Sequence, residues 1–291
     1  MSPREERPWL ASQFEEQRPR LRAIAYRMLG SLSEADDAVQ EAWLRLSGTG
    51  PDEVDNLAAW LTTVVARISL NVLRARKTRN ETHRPEPIID PAGGTSPEHA
   101  ALLADSIGLA LLMVLETLAP AERVAFVLHD VLDMPFEQIA SIVRRTPDAT
   151  RQLASRGRRR VQGRNARPDA AADVQRRVVD AFLAAAHRGD LQGLLAVLDP
   201  QVVLRTDAGA PRVPIEVRGA EEVAGRARSF SQLGLLRQPA LVNGVAGAVC
   251  LLDGKPFSVM AFTVRGDTIV EIAILRDARR LAALDLSALH A

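Results

Sequence analysis

The sequence predicts a multidomain chain in which two all-α units precede an α+β unit, and three observations carry that prediction. Apolar residues recur at helical spacing from residue 10 to 82 and again from about 100 to 165. Between these stretches, residues 83 to 98 (HRPEPIIDPAGGTSPE) hold four prolines and two adjacent glycines, a composition that reads as a linker. Beyond Arg167-Pro168 the helical period gives way to β-rich runs split by turn signals. With 291 residues the chain exceeds one ordinary domain, and the expected boundaries are 1–84, a linker 85–99, 100–167 and 168–291.

In the first unit, Leu21, Ile24, Ala25, Met28 and Leu29 make one apolar stripe and Ala38, Val39, Ala42, Trp43 and Leu46 the next. Ser33 is the expected N-cap of that second helix, with Asp36 placed for its first-turn amides. Ser47-Gly48-Thr49-Gly50-Pro51 breaks the pattern. A third helix runs from about Leu57 with Trp60, Leu61, Val64, Val65, Ile68, Val72 and Leu73 as its apolar positions.

In the second unit, residues 134 to 163 (MPFEQIASIVRRTPDATRQLASRGRRRVQG) read as two short helices around a turn at Arg145-Thr146-Pro147. Ile139, Ala140, Ile142 and Val143 face a core, as do Ala149, Leu153 and Val161. Pro147 suits the first helical position and Thr146 its cap. Arg151, Gln152, Ser155, Arg156, Arg158 and Arg159 are left facing outward, where guanidinium groups can meet phosphates or the O6 and N7 atoms of guanine. A solvated arginine-rich helix has the same composition, so the wider context has to decide.

In the third unit, residues 173–187 and 190–198 read as helices, and 202–206, 213–217, 240–243, 246–252, 256–264 and 269–275 as strands, with hairpin turns at Asp253-Gly254 and Gly266-Asp267. The alternating Ser258, Met260, Phe262 and Val264 either line an apolar cavity or form core. The expectation is a unit that buries its own core and folds alone from about residue 173.

A formal net charge of +1 excludes a global polycation, so a nucleic-acid surface has to come from local clusters. One is Arg67, Arg74, Arg76, Lys77, Arg79 and Arg84; another runs from Arg144 to Arg167 with Asp148 as its only acid. Acids gather instead at Glu34, Asp36, Asp37 and Glu41, which suits either a cationic partner or a helix N-terminus. The single cysteine, Cys250, sits in an apolar run and reads as an inert core thiol in a reducing compartment. No apolar stretch approaches a membrane span, and MSPREERPWL lacks the core of a signal peptide, so a soluble cytoplasmic protein is expected. Without a Cys cluster, HExxH or P-loop pattern, neither metal nor cofactor is expected.

LRAIAYRMLGSLSEADDAVQEAWLRL (21–46) and WLTTVVARISLNVLRARKTRNE (60–81) resemble the σ2 domain of extracytoplasmic-function (ECF) sigma factors, and LAPAERVAFVLHDVLDMPFEQIASIV (118–143) with the following helix resembles σ4. FLAAAHRGDLQGLLAVLDPQVVLRTD (182–207) is similar to SnoaL-like domains of the nuclear-transport-factor-2-like superfamily. The order resembles the ECF subgroup with a fused SnoaL-like extension. The fold class it implies is two all-α domains, σ2-like and a σ4-like helix-turn-helix, followed by an α+β SnoaL-like domain of cone shape.

The resemblance implies a division of labour. Asp36, Asp37, Gln40, Glu41 and Trp43 match the helix that binds the β′ clamp of core RNA polymerase, and the β subunit is a further partner; Trp43 suits a wholly buried core position equally well. The Asp55-Asn56-Leu57 loop with Arg67, Asn71, Arg74, Arg76, Lys77 and Arg79 matches the part that opens the promoter minus-ten element, a task for polar and cationic groups. Arg151, Gln152, Ser155, Arg156, Arg158 and Arg159 then fall to the minus-thirty-five element. Thr150 and Gly157 depart from the family's aliphatic and alanine, the glycine at about 1 kcal/mol of helix propensity.

In the subgroup, loops of the extension and the linker pack the extension on the sigma core. They match Pro85, Glu86, Pro87, Asp207, Gly209, Arg212, Asn243, Gly244 and Gly247. The expected protein is a monomer when not bound to polymerase, with no membrane partner and a place for a small apolar ligand in its last domain. The alternative is a catalytically active extension of isomerase or hydrolase type, for which Asp199, His187 and Asp207 are the candidate acid–base groups. Fold analogy alone does not establish that chemistry.

Overall fold

The structure, a computed structural model, describes residues 3–48, 56–79, 84–95, 99, 108–162, 170–209, 215–286 and 289. The chain divides into two compact units: residues 1–86, 101–105 and 112–160 form the first, and 87–100, 106–111 and 161–291 the second. Both helical segments read from the sequence therefore share one unit, and most of the proline-rich segment belongs with the C-terminal sheet.

The first unit begins with α1 (Pro3–Leu29), α2 (Leu32–Ser47) and α3 (Leu57–Thr78), which pack on one another. Leu21, Ile24, Ala25, Met28 and Leu29 are all buried, as are Ala38, Val39, Ala42 and Leu46. Gly30, at φ +70°, ends α1 in a left-handed conformation. The chain then re-enters a helix through Ser31, whose hydroxyl accepts from the Glu34 amide at 3.5 Å. The N-cap is thus Ser31 and not the expected Ser33, because the extended turn comes directly after Gly30. α3 has the length and apolarity of a membrane-crossing helix, yet half of that apolar window is buried within the protein. Its buried side chains include Leu61, Val65, Ile68 and Leu70.

Among the described residues, the remaining helices of this unit are α4 (Leu109–Leu115, shared with the second unit), α5 (Pro120–Phe126, continued by a π turn over Val127–Val131), α6 (Phe136–Val143) and α7 (Pro147–Gln162). α3 packs against α5 and α6. Arg144 leaves α6 in the left-handed region, and the Thr146 hydroxyl accepts from the Ala149 amide at 3.2 Å, so turn and cap follow the residue types. Gly157 faces α5: a Cβ there would lie 3.0 Å from Phe126 Cβ.

The second unit is α+β. α8 (Ala172–Arg188), α9 (Leu191–Val197) and α10 (Ala220–Ser229), with a 3₁₀ turn over Phe230–Leu233, cover one face of a sheet. Among the described residues that sheet has seven strands in the order β1-β4-β5-β6-β7-β2-β3. They are β1 (Ile89–Pro91), β2 (Leu198–Asp207), β3 (Ile215–Arg218), β4 (Leu236–Val242), β5 (Val245–Leu252), β6 (Lys255–Arg265) and β7 (Thr268–Leu275), followed by α11 (Ala278–Ala282). The sequence suggests antiparallel strands throughout; the sheet is mixed, because β2 lies parallel to β7. Phe182 of α8 meets Phe262 of β6 edge-on at 5.3 Å in a core that also holds Leu194, Ile269 and Ile272. Each such side chain contributes about 1.5–3 kcal/mol on burial.

β1 is the element the composition hid. Ile89, Asp90 and Pro91 pair with Val242, Leu241 and Ala240 at the edge of β4. Pro91 in the strand and Pro87 just before it fit an edge, where a missing N–H is tolerated.

Candidate polymerase and promoter interface

On α2, Asp36, Asp37, Gln40 and Glu41 are exposed while Ala35, Ala38, Val39 and Ala42 are buried, so the helix presents one polar face. Asp36 accepts two hydrogen bonds from the Arg22 guanidinium, at 2.5 and 3.0 Å, and Glu41 pairs with Arg45. Trp43 is half-buried, its ring centroid 5.0 Å from that of the fully buried Phe14. The indole is therefore part core and part surface. Leu44 is 62% exposed, and positions 37, 40, 41 and 44 fall on one helical face. Sequence reasoning missed this leucine; the available signal was an apolar residue standing off the buried stripe.

On α3, Arg67, Asn71, Arg74, Lys77 and Arg79 are exposed. Spacings of four and three place Arg67, Asn71 and Arg74 on one face, and the chain adds cations beyond them. The first of these, Arg67, reaches the Ser141 carbonyl of α6 at 3.4 Å. Asn56 is exposed, but its side-chain oxygen accepts from the Ala59 amide at 3.0 Å, so it caps α3. Asp55 lies outside the described residues.

Arg76 corrects the expected set. It is 5% exposed, donates from Nη1 to the Leu29 carbonyl at 3.0 Å and from Nε to Glu34 at 3.2 Å, and is thereby committed to the packing of three helices. The signal was available: three residues after Leu73 and eight after Ile68, position 76 continues the apolar stripe.

On α7, Arg151, Gln152, Ser155, Arg156 and Arg159 are exposed and Arg158 is partly so. Arg151 is held between Asp148 and Glu137, the latter at 3.3 Å, with its guanidinium 5.5 Å from the centre of the Phe136 ring. Arg158 donates to Asp130 at 2.6 Å, which turns its head back toward the π turn. Arg160 bridges Glu122 at 3.0 Å and the Thr117 carbonyl at 3.3 Å. Thr150 is fully buried, and its hydroxyl donates to the Thr146 carbonyl at 2.9 Å, so the polar atom in the aliphatic's place is satisfied.

In the second unit, Asn243 and Gly244, at φ 54° and 74°, form the turn between β4 and β5. Asn243 is fully buried; its Oδ1 accepts from the Ile88 amide at 3.1 Å and its own amide donates to the Ile88 carbonyl at 2.8 Å. Gly247 follows where a Cβ would lie 2.5 Å from the Met260 carbonyl. In the first unit the preceding linker residues are fastened separately: Tyr26 donates to the Glu86 carbonyl at 2.6 Å, and the Glu86 amide to the Gly30 carbonyl at 2.8 Å. Pro85 and Pro87 are buried and Glu86 is exposed.

The other expected contact residues pack on their own unit. Asp207 is 5% exposed, accepts from the Gly209 amide at 3.0 Å and pairs with Arg280 at 2.5 Å, while Gly209, at φ +80°, lies against Asp277. Arg212 lies outside the described residues.

The groups proposed for acid–base chemistry do not converge. Asp199, at the irregular start of β2, accepts from the Gln201 amide at 2.7 Å, His187 is exposed, and Asp207 is the partner of Arg280. A cavity of about 110 Å³ opens between α8, α10 and the sheet, and none of the three lines it. Ser258 and Met260 do line it, whereas Phe262 and Val264 belong to the core. Burial pushes the Cys250 thiol on its wall upward, although a hydrogen bond with Ser258 and the charge of Arg237 act the other way. Among the described residues, no group of three or more His, Cys, Asp or Glu is placed to hold a metal ion.

Comparison with known proteins bears on the same elements. Residues 13–79 match the sigma-70 region 2 family and 108–161 the sigma-70 region 4 family. ECF RNA polymerase sigma factor SigJ of Mycobacterium tuberculosis is 39% identical over 251 residues, spanning 81% of this chain and 80% of that one. The same organism's "Probable ECF RNA polymerase sigma factor SigI" is 34% identical over 261 residues, or 87% and 88% of the two chains. The crystal structure of SigJ superimposes with a TM-score of 0.75 at 33% identity, covering 94% of this chain and 98% of that one. The chain belongs to the extracytoplasmic-function RNA polymerase sigma factors and carries a SnoaL-like C-terminal domain.

Proposed function

We propose a specific division of the sigma-factor task among these surfaces. The face of Asp37, Gln40, Glu41 and Leu44, with Asp36 and the exposed edge of Trp43 beside it, docks on the clamp of the polymerase β′ subunit. Charged groups around an apolar contact give orientation and a dry centre. Arg67, Asn71, Arg74, Lys77 and Arg79 track the minus-ten strand. Arg151, Gln152, Ser155, Arg156 and Arg159 read the minus-thirty-five element, with Arg158 contributing only if it leaves Asp130. Arg76 is assigned to structure.

The C-terminal domain is a non-enzymatic regulator that holds a small apolar ligand and acts through the linker; the chain is cytoplasmic and monomeric away from polymerase. The observation that carries this reading is the pair of hydrogen bonds between Ile88 and Asn243. They make residues just beyond the σ2-like helices part of the C-terminal sheet, so a change in that sheet pulls on the chain that leads into σ4. The test is run-off transcription with purified core polymerase, comparing the full chain with an Asn243→Ala/Gly244→Ala variant. Promoter-specific transcripts that require the chain and change in yield with the variant are expected. Unchanged yield would reject regulation through this turn, and failure to bind core polymerase in a pull-down would reject the proposed docking face.

A further inference from the structure

Thr206 places a hydroxyl where the cavity of the C-terminal domain is otherwise apolar. β2 alternates across the sheet: Arg205 and Asp207 pair with Glu271 and Arg280 on one face, while Leu204 and Thr206 line the cavity on the other. The cross-strand neighbours of Thr206 are Ile215 on β3 and Ile274 on β7, which also line the cavity. Thr206 is 8% exposed, and among the described residues none supplies a hydrogen-bond partner for its hydroxyl.

A strand does not need that oxygen. Valine has the same branched shape and suits a strand equally, whereas a buried hydroxyl gives up its water and here gains no protein partner in exchange. Other polar groups of the lining are engaged within the domain. The Ser258 hydroxyl hydrogen-bonds the Cys250 thiol. Arg237 donates to the Leu235 and Phe230 carbonyls, each at 3.4 Å, and the Arg276 guanidinium lies 4.4 Å from the centre of the Phe257 ring and 5.4 Å from that of Phe230. Thr206 is the group on the apolar wall whose hydrogen-bonding capacity a ligand can use.

We propose that this cavity binds an uncharged single-ring molecule bearing one hydroxyl or carbonyl group, its ring against Phe182, Leu204 and Met260 and its polar atom on the Thr206 hydroxyl. A threonine hydroxyl both donates and accepts, so it serves either group, but one neutral hydroxyl among isoleucines does not replace the hydration of a full charge. The cavity of about 110 Å³ agrees in size, since apolar cavities of comparable volume take up a molecule the size of benzene. The inference rests on the ligand-holding role of this domain and adds the polar group of the ligand, its partner and its neutrality.

The test is calorimetric titration of the full chain at pH 7 with phenol, with toluene, in which a methyl group replaces the hydroxyl, and with benzoate. The unaltered chain is expected to bind phenol and toluene, and benzoate at least about 10-fold more weakly than phenol. In Thr206→Val, phenol affinity should fall about 5-fold while toluene affinity is kept, which also shows that the cavity has folded. Thr206→Ser, which retains the hydroxyl, should keep the phenol-to-toluene ratio of the unaltered chain. A ratio unmoved by Thr206→Val, or loss of both compounds in that variant, would overturn the role of Thr206. Toluene binding without phenol binding to the unaltered chain would overturn the polar group and leave an apolar site standing. Benzoate binding as tight as that of phenol would overturn the neutral class, and binding of none of the three would overturn both readings.

Discussion

Gly157 of α7 and Phe126 of α5 are in contact through the hydrogen that glycine carries in place of a side chain: a Cβ at 157 would lie 3.0 Å from Phe126 Cβ and 3.4 Å from the Glu122 carbonyl. The helix propensity lost at this position is exchanged for a close approach of the DNA-facing helix to its support. Gly157→Ala gains up to about 1 kcal/mol of propensity. Overpacking costs about 1–3 kcal/mol where the neighbour is a fixed aromatic. Net destabilisation of about 1 kcal/mol is expected in urea unfolding, and a more stable variant would show that α5 and α7 can separate freely.

Asn243→Ala removes the acceptor for the buried Ile88 amide and replaces a residue type that tolerates φ 54° with one that tolerates it less well. The two effects together should cost about 2–4 kcal/mol. Asn243→Gly relieves only the backbone conformation and should recover about 1 kcal/mol. Denaturant midpoints for the three proteins test this order. Equal stability of alanine and glycine variants would mean that the turn carries no left-handed penalty.

Arg76 and Arg74 separate fold from function within three residues of chain. Arg76→Ala leaves Glu34 without its buried partner, and because that carboxylate is a third exposed, a loss of about 2 kcal/mol is expected rather than the larger cost of a fully buried charge. Arg74→Ala should change stability by no more than about 0.5 kcal/mol. In binding to promoter DNA as holoenzyme, Arg74→Ala should lower the slope of log affinity against log salt by about one. A salt slope unmoved by Arg74→Ala would place this face away from phosphate.

Much of the first unit was legible because helix period, caps and burial agree there, as in Leu21, Ile24, Met28 and the Thr146-Pro147 start of α7. Position 76 was misjudged because a cluster of cations was read by composition, while its neighbours Ile68 and Leu73 placed it inward. Ile89 to Pro91 was hidden for a different reason. Its proline content excludes a helix and a central strand but not an edge strand, and the partner that completes it, Val242 to Ala240, lies some 150 residues away in sequence, which no local pattern reports.

Arg151 sits between two carboxylates, Asp148 and Glu137, on an aromatic ring. Held this way it is oriented before DNA arrives. Arg151→Ala or Arg156→Ala should weaken minus-thirty-five recognition by about 1–3 kcal/mol where the contact is a bidentate one to a base. A phosphate contact would instead weaken all promoters alike. Competitive run-off transcription on a promoter library distinguishes the two, and unaltered promoter use by both variants would take α7 out of the readout.

Among the described residues, the two ends of the C-terminal sheet are its shortest strands, three residues in Ile89–Pro91 and four in Ile215–Arg218. One closes on a proline, which has no amide proton to offer, and the other alternates charge through Glu216 and Arg218. A second molecule that tried to extend the sheet would find little backbone to hold at either border. The segment borrowed from the linker thus doubles as a stopper against fibre-like growth, and a protein fragment cut after residue 91 would lose it, exposing the seven-residue β4 as a template for self-association.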